Sequence, residues 1–244
     1  MKIGVVTPYW GEDRVVLGRC VDSVFEQTTG HDLVQYLVAD GVYREWVRKW
    51  GCDRVVLVDL PHFGDYGNTP RCFGAALAHR QGCDAICFLD GDNWFEPEHV
   101  ENLASVMVRD GLDVVSSGRN LYRPDGSFLA VDNECDGDKF VDTSCFLVGK
   151  KAYPLMVTWM FHPESLAVIG DRIVWNCIKQ NALAGEIKIG HVDKPTLNYT
   201  TLIASHYFRN GENPPRNAKE IVVDHSGGTA RQIGYDEFMQ LKRG

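Results

Sequence analysis

The chain has no Cys-x-x-Cys pair, no glycine-rich phosphate loop, no long apolar run and no excess of basic residues. Each absence closes a class of function. Its eight cysteines stand at positions 20, 52, 72, 83, 87, 135, 145 and 177, and Cys83 and Cys87 lack the second pair that would complete a zinc site. Several cysteines lie inside apolar runs, where a reduced thiol behaves as a small hydrophobe. A chain of 244 residues buries enough surface to fold without disulfide staples, so a reducing, cytoplasmic setting is expected. No Gly-x-Gly-x-x-Gly follows the first apolar run and no Gly-x-x-x-x-Gly-Lys-Ser/Thr occurs, which removes the dinucleotide fingerprint and the P-loop. No window approaches the roughly 20 apolar residues of a membrane span, and Met1-Lys2-Ile3-Gly4-Val5-Val6 enters a strand without signal-peptide anatomy. With 25 Lys and Arg against 33 Asp and Glu, the formal net charge is −8. A phosphate-neutralising surface needs clustered basic residues, so nucleic acid is not an expected partner.

What is present is a regular alternation of apolar strands and amphipathic helices. Strands are expected at Lys2 to Thr7, Leu33 to Ala39, Arg54 to Leu60 and Ala85 to Leu89. Helices are expected at Asp13 to Gln27, from the cap and proline of Thr69-Pro70 to about Gln81, and at Pro97 to Arg109. Such alternation implies a parallel sheet with right-handed crossovers. The second half changes character. A strand is expected at Asp113 to Gly118, a hairpin around Pro124-Asp125-Gly126, helical turns at Lys150 to Trp159, and a helix opened by Gly170-Asp171-Arg172. From Asn210 onward, Pro214-Pro215 and Gly227-Gly228 read as a loop-rich, movable tail.

Three strands end in polar or turn residues that gather at one sheet edge: Thr7-Pro8-Tyr9, Asp40-Gly41 and Asp90-Gly91-Asp92. In open α/β sheets ligands bind beyond the carboxyl ends of the strands. Asp-Gly-Asp is also an ordinary solvated turn. Two carboxylates at such an edge, however, suit a hard divalent cation that shares its shell with substrate phosphates. Trp94 and Phe95 occupy the fifth and sixth loop positions where an EF-hand needs an oxygen ligand and a glycine. A dehalogenase-type phosphatase motif would follow an early strand and continue to Thr or Val, not Trp94.

In order and spacing these pieces resemble the GT-A-fold nucleotide-sugar glycosyltransferases, and family 2 most closely, over roughly residues 1–210. The resemblance rests on Val5-Val6-Thr7-Pro8-Tyr9, Asp40, Asn68-Thr69-Pro70-Arg71, Asp90-Gly91-Asp92, Gly170-Asp171-Arg172 and His206. It implies one α/β catalytic domain at 1–210, with a mostly parallel central sheet flanked by helices and a smaller mixed β acceptor region. Residues 1–118 would form the nucleotide-binding half, 119–210 the acceptor half, and 211–244 a mobile tail. Thr7, Pro8 and Tyr9 would border base and ribose, Asp40 would accept from the base, and Asn68, Arg71, Asp90 and Gly91 would complete the donor site. Asp90, Asp92 and His206 would hold Mn²⁺ or Mg²⁺. Asp171 would act as general base in an inverting transfer from a UDP-sugar, or a GDP-sugar, to a carbohydrate or other hydroxyl acceptor. Family members often carry Glu-Asp where this chain has Gly170-Asp171, so Asp171 as a helix cap is the competing role. A nucleotidyltransferase would need a glycine-rich, basic loop after the first strand, and Pro8-Tyr9-Trp10-Gly11-Glu12-Asp13 is neither. A catalytically silent nucleotide-sugar or glycan-binding protein remains the non-enzymatic alternative. The sequence assigns no oligomeric state.

Overall fold

A computed structural model describes residues 1–242. The first half alternates as expected: β1 (Lys2–Tyr9), α1 (Arg14–Phe25), β2 (Asp32–Asp40), a 3₁₀ turn at Glu45–Trp50, β3 (Val55–Leu60), α2 (Asn68–Arg80) and β4 (Ala85–Phe88). β1 pairs in parallel with β2 and β4, and β2 with β3. Strands covered on both faces read as unbroken apolar runs, and Ile3, Val5, Val6, Leu37, Val38, Ile86 and Phe88 are all buried. The chain steps outward from β1 to β3 and then returns to the other side of β1 with β4. That reversal opens a crevice at the carboxyl ends of β1 and β4. Tyr9, Asp40 and Asp90 therefore reach the same edge.

Beyond β4 the sheet becomes mixed. After β5 (Trp94–Phe95) and α3 (His99–Asp110) come β6 (Val114–Tyr122), β7 (Phe128–Val131), β8 (Phe146–Gly149), α4 (Gly170–Leu183) and β9 (Ile189–Thr200). The strand order is β3-β2-β1-β4-β8-β6-β9-β5, with β7 paired to β6. β8 runs antiparallel to β4 and β6, whereas β9 runs parallel to β6. The hairpin expected around Pro124-Asp125-Gly126 is the β6–β7 turn.

Several boundaries differ from the sequence reading for local reasons. α2 is entered from Gly67 in the left-handed region (φ 78°), and Asp65 Oδ2 accepts the Thr69 N–H at 2.8 Å. Thr69 and Pro70 thus sit inside the first turn, where a missing N–H costs nothing. α3 starts at His99, two residues after Pro97. Residues Lys150–Trp159 form 3₁₀ turns around Pro154.

The largest difference lies after Asn210. The segment read as loop-rich carries β10 (Lys219–Asp224), β11 (Thr229–Gly234) and α6 (Tyr235–Leu241). Asp224 Oδ1 accepts from the Ser226 N–H at 2.9 Å and the Gly227 N–H at 3.1 Å, which shapes the turn between the strands. The hairpin is docked on α5 (Ala204–Arg209): the Lys219 N–H donates to Leu202 O at 2.8 Å, and Glu220 Oε2 accepts the Ser205 N–H at 2.8 Å. Among the described residues all eight cysteines are free, and no helix is long and apolar enough to cross a membrane.

Candidate active site

The crevice forms a cleft of about 560 Å³, lined from β1 and its following loop by Pro8, Tyr9, Trp10 and Glu12. Asp40 comes from β2, Gly64, Tyr66 and Gly67 from the loop before α2, and Arg71 from α2. Asp90, Gly91 and Asp92 form its floor beyond β4, while Lys219 and Gln232 reach in from the β10–β11 hairpin.

The turn carrying the two aspartates is fixed on every side by its backbone. The Asp90 N–H donates to Ser144 Oγ at 3.1 Å, and the Asn93 N–H closes the turn on Asp90 O at 3.0 Å. The Asp92 carbonyl accepts from Arg19 Nη2 at 3.0 Å and Thr200 Oγ1 at 2.9 Å. Space beside Gly91 is tight: a Cβ there would meet Leu17, Glu12 and Pro8 O at 3.2–3.3 Å. Only the carboxylates are left to act. Asp90 Oδ1 accepts from Arg71 Nη2 at 2.5 Å. Among the described residues no other side chain donates to the exposed Asp92 carboxylate, which lines the cleft. Desolvation within the cleft, reinforced by the negative charges of Asp90 and Glu12, pushes its carboxyl up to about 7.

An unpartnered carboxylate repelled by its neighbours is an environment that a divalent cation relieves, so Asp90 and Asp92 fit a Mn²⁺ or Mg²⁺ bound together with phosphate oxygens. His206 does not fit the same set. It lines a second pocket, its Nδ1 lies 2.7 Å from Thr201 Oγ1, and its Nε2 faces Arg119 Nη2 at 3.5 Å. Burial, followed by the adjacent Arg119 charge, lowers its pKa to about 3. A guanidinium at the free ring nitrogen repels a cation, and among the described residues no group of three or more His, Cys, Asp or Glu side chains converges as a metal cage. His206, expected as third ligand, thus lines a different pocket from Asp90 and Asp92 in this structure.

The other donor-site expectations divide. Pro8, Tyr9, Asp40, Arg71, Asp90 and Gly91 line the cleft. Thr7 and Asn68 point away from it. Thr7 is fully buried and accepts from Gln35 Nε2 at 3.0 Å, and Asn68 Nδ2 donates to Ala167 O at 2.8 Å. Asp40 already accepts the Phe63 N–H at 2.7 Å and so anchors the loop that roofs the cleft.

The second pocket, about 430 Å³, adjoins this floor and holds Asp171 with Arg119, Asp142, Tyr199 and His206. Asp171 occupies the first turn of α4, and its Oδ1 accepts the Arg172 N–H at 2.7 Å. Desolvation, followed by the charge of Asp142, raises its carboxyl to about 6, a value suited to a base at neutral pH. Gly170 precedes it because the space is taken: a Cβ there would lie 2.4 Å from Asn68 Oδ1. Asp142 links the two pockets. It is held by Arg119 Nη1 at 2.5 Å, and its Oδ1 accepts the Ser144 N–H at 2.9 Å. Arg119, itself buried, is shared with Asp132.

Sequence reasoning missed Glu12, Lys219 and Gln232. Glu12 was detectable as a carboxylate in the loop after the first strand; nothing in the sequence pointed the hairpin residues here.

The family model described as Glycosyl transferase family 2 matches residues 4–134. No curated protein matches the chain. Among solved structures, the crystal structure of S. aureus TarS matches with a TM-score of 0.61 at 13% identity, over 85% of this chain and 38% of that one. S. aureus TarS 1–349 in complex with UDP-GlcNAc matches with a TM-score of 0.62 at 14% identity, over 82% of this chain and 59% of that one. The same fragment in complex with UDP matches with a TM-score of 0.59 at 14% identity, over 86% of this chain and 63% of that one. The chain thus spans less than two thirds of each of these relatives.

Proposed function

Since the chain belongs to glycosyl transferase family 2 and has the GT-A fold, we propose that it moves a sugar from a nucleoside-diphosphate sugar to a hydroxyl acceptor. A UDP-sugar is favoured, in keeping with the UDP and UDP-GlcNAc complexes of TarS; a GDP-sugar is the alternative donor. The observation that carries the proposal is the unpartnered Asp92 carboxylate beside Asp90 on the floor of the donor cleft, with Asp171 in the adjoining pocket.

Each group then has a task. Tyr9 and the loop anchored by Asp40 border the nucleoside. Arg71, at the start of α2, and Lys219 bring positive charge to the cleft where the diphosphate would lie. Asp90 and Asp92 would hold Mn²⁺ or Mg²⁺, which when bound stabilises the charge of the departing diphosphate. Asp171 takes the proton of the acceptor hydroxyl as that oxygen bonds to the anomeric carbon, and the bond from that carbon to the phosphate oxygen breaks with its electron pair leaving on the diphosphate. Attack from the face opposite the leaving group inverts the anomeric centre, which product stereochemistry would reveal.

The test is thermal unfolding with UDP, GDP, CDP and dTDP, each with and without Mn²⁺. A ligand at about 100 times its Kd adds about 2.7 kcal/mol, a rise of roughly 5–10 °C for a chain of this size. A rise for one nucleotide that needs Mn²⁺ is expected. No rise with any of them would remove the donor assignment and leave Asp90-Gly91-Asp92 as a turn.

A further inference from the structure

Tyr66 is the one non-glycine residue with a positive φ (60°) among the described residues. For an aromatic side chain that conformation is strained, and such strain persists only where the surroundings over-determine it. Here they do. The Tyr66 carbonyl accepts from Arg71 Nη1 at 2.8 Å, and the other terminal nitrogen of the same guanidinium holds Asp90 at 2.5 Å. The flanking Gly64 and Gly67 are left-handed too, at φ 68° and 78°. Gly67 is pressed so closely on the opposite wall that a Cβ would lie 3.2 Å from Pro8 Cβ.

Tyr66 is 53% exposed, and among the described residues its hydroxyl makes no hydrogen bond while its carbonyl is held by Arg71. Glycine or asparagine would fill this backbone position with less strain. Tyr66 lines the cleft that also contains Tyr9 and the stacked pair Trp10–His62, whose ring centroids are 5.7 Å apart at 18°. A cleft with carboxylates on its floor and flat rings on its walls suits a ligand with both a metal-binding anion and an aromatic face.

We propose that Tyr66 is the aromatic wall against which the nucleobase of the donor stacks. This rests on the donor assignment above and adds the residue that reads the base. The Arg71 clamp joins base and diphosphate recognition, because one guanidinium sets both the Tyr66 loop and Asp90.

The experiment measures binding of UDP, GDP and inorganic pyrophosphate, each with Mn²⁺, to wild type and to Tyr66→Gly, Tyr66→Asn and Tyr66→Phe. Loss of base stacking weakens binding by about tenfold or more. Tyr66→Gly and Tyr66→Asn should therefore bind the nucleotide about tenfold more weakly while binding pyrophosphate as wild type does. Their melting temperatures should be equal to or higher than wild type, because the strained backbone is relieved. Tyr66→Phe keeps the ring and should retain nucleotide binding. Nucleotide binding unaltered in the Gly and Asn variants would overturn the proposal, as would a parallel loss of nucleotide and pyrophosphate. Wild type that binds pyrophosphate but neither nucleotide would overturn the donor assignment, and this proposal with it.

Discussion

Asp142 and Asp90 are bridged by one serine: Asp142 Oδ1 accepts the Ser144 N–H at 2.9 Å, and Ser144 Oγ accepts the Asp90 N–H at 3.1 Å. Since Asp142 is itself held by Arg119 in the neighbouring pocket, the backbone of Asp90 is tied to that pocket. Ser144→Ala leaves the Asp90 N–H without its partner, at a cost of about 1–3 kcal/mol. Lower stability in denaturant titration should accompany a weaker Mn²⁺-dependent nucleotide affinity. Lower stability with affinity intact would reduce Ser144 to a core residue.

Asp92→Asn should abolish the Mn²⁺-dependent part of nucleotide binding. In wild type that binding should strengthen as pH rises through about 7, where the Asp92 carboxyl gives up its proton, and level off above. The linkage to stability has the opposite sign. A carboxyl raised above its ordinary value of about 3.9 contributes stability below that value, and the contribution is lost as pH rises through the folded pKa. Because Asp92 is exposed and solvent screens its charge, the asparagine variant without metal should gain only a small advantage over wild type at pH 8 and none at pH 5, which calorimetry at the two pH values would measure.

The proposed role of Asp171 as base predicts that its removal separates chemistry from binding. Asp171→Asn is expected to lower transfer by about 100- to 10,000-fold while donor and Mn²⁺ bind as before. The wild-type rate should rise with pH through about 6, as the Asp171 carboxyl becomes the free base. Isothermal titration beside single-turnover rates distinguishes this from a helix-cap role, in which stability would fall and the pH profile would stay put.

Gly170→Ala pushes a methyl group into Asn68 and should cost about 1–3 kcal/mol. The double variant with Asn68→Ala should cost less than the two changes added together, because each relieves the other's crowding. Strict additivity in urea unfolding would show that the two side chains do not share the space.

His206→Asn should leave the Mn²⁺ midpoint of nucleotide binding where it is, since Arg119 stands against the ring nitrogen that a metal would need. A large rightward shift of the metal titration would restore His206 to the ligand set.

The alternating strands and helices of the first half were legible because buried parallel strands leave apolar runs that end abruptly in polar residues, as Leu89-Asp90 and Ala39-Asp40 do. The helix that opens at Gly170-Asp171 was legible as well. What was hidden is direction. Thr7 and Pro8 are neighbours at one strand end, yet Thr7 bonds Gln35 inside the sheet while Pro8 faces the cleft. A strand buried on both faces gives no alternation from which to tell them apart. Asn68 opens the expected helix but turns toward Ala167, a contact of long sequence separation that no local pattern encodes. The same holds for His206, whose neighbour Arg119 comes from a distant strand. The hairpin after Asn210 was partly readable: Ile221-Val222-Val223 is a strand-forming run, and Ser226-Gly227-Gly228 supplies the turn. Pro214-Pro215 and the glycines outweighed it.

Lys219 and Glu220 are neighbours in β10, yet the first lines the donor cleft and the second lines the pocket of Asp171 and seats the hairpin on α5. In a strand the side-chain period is two, so a slip of one residue exchanges such neighbours. A slip of β10 that carried Glu220 to the place of Lys219 would bring a carboxylate into the cleft and leave Arg71 to supply its positive charge. The Leu202 carbonyl and the Ser205 N–H, which seat β10 through Lys219 and Glu220, thereby guard the polarity of the cleft although neither of them lines it.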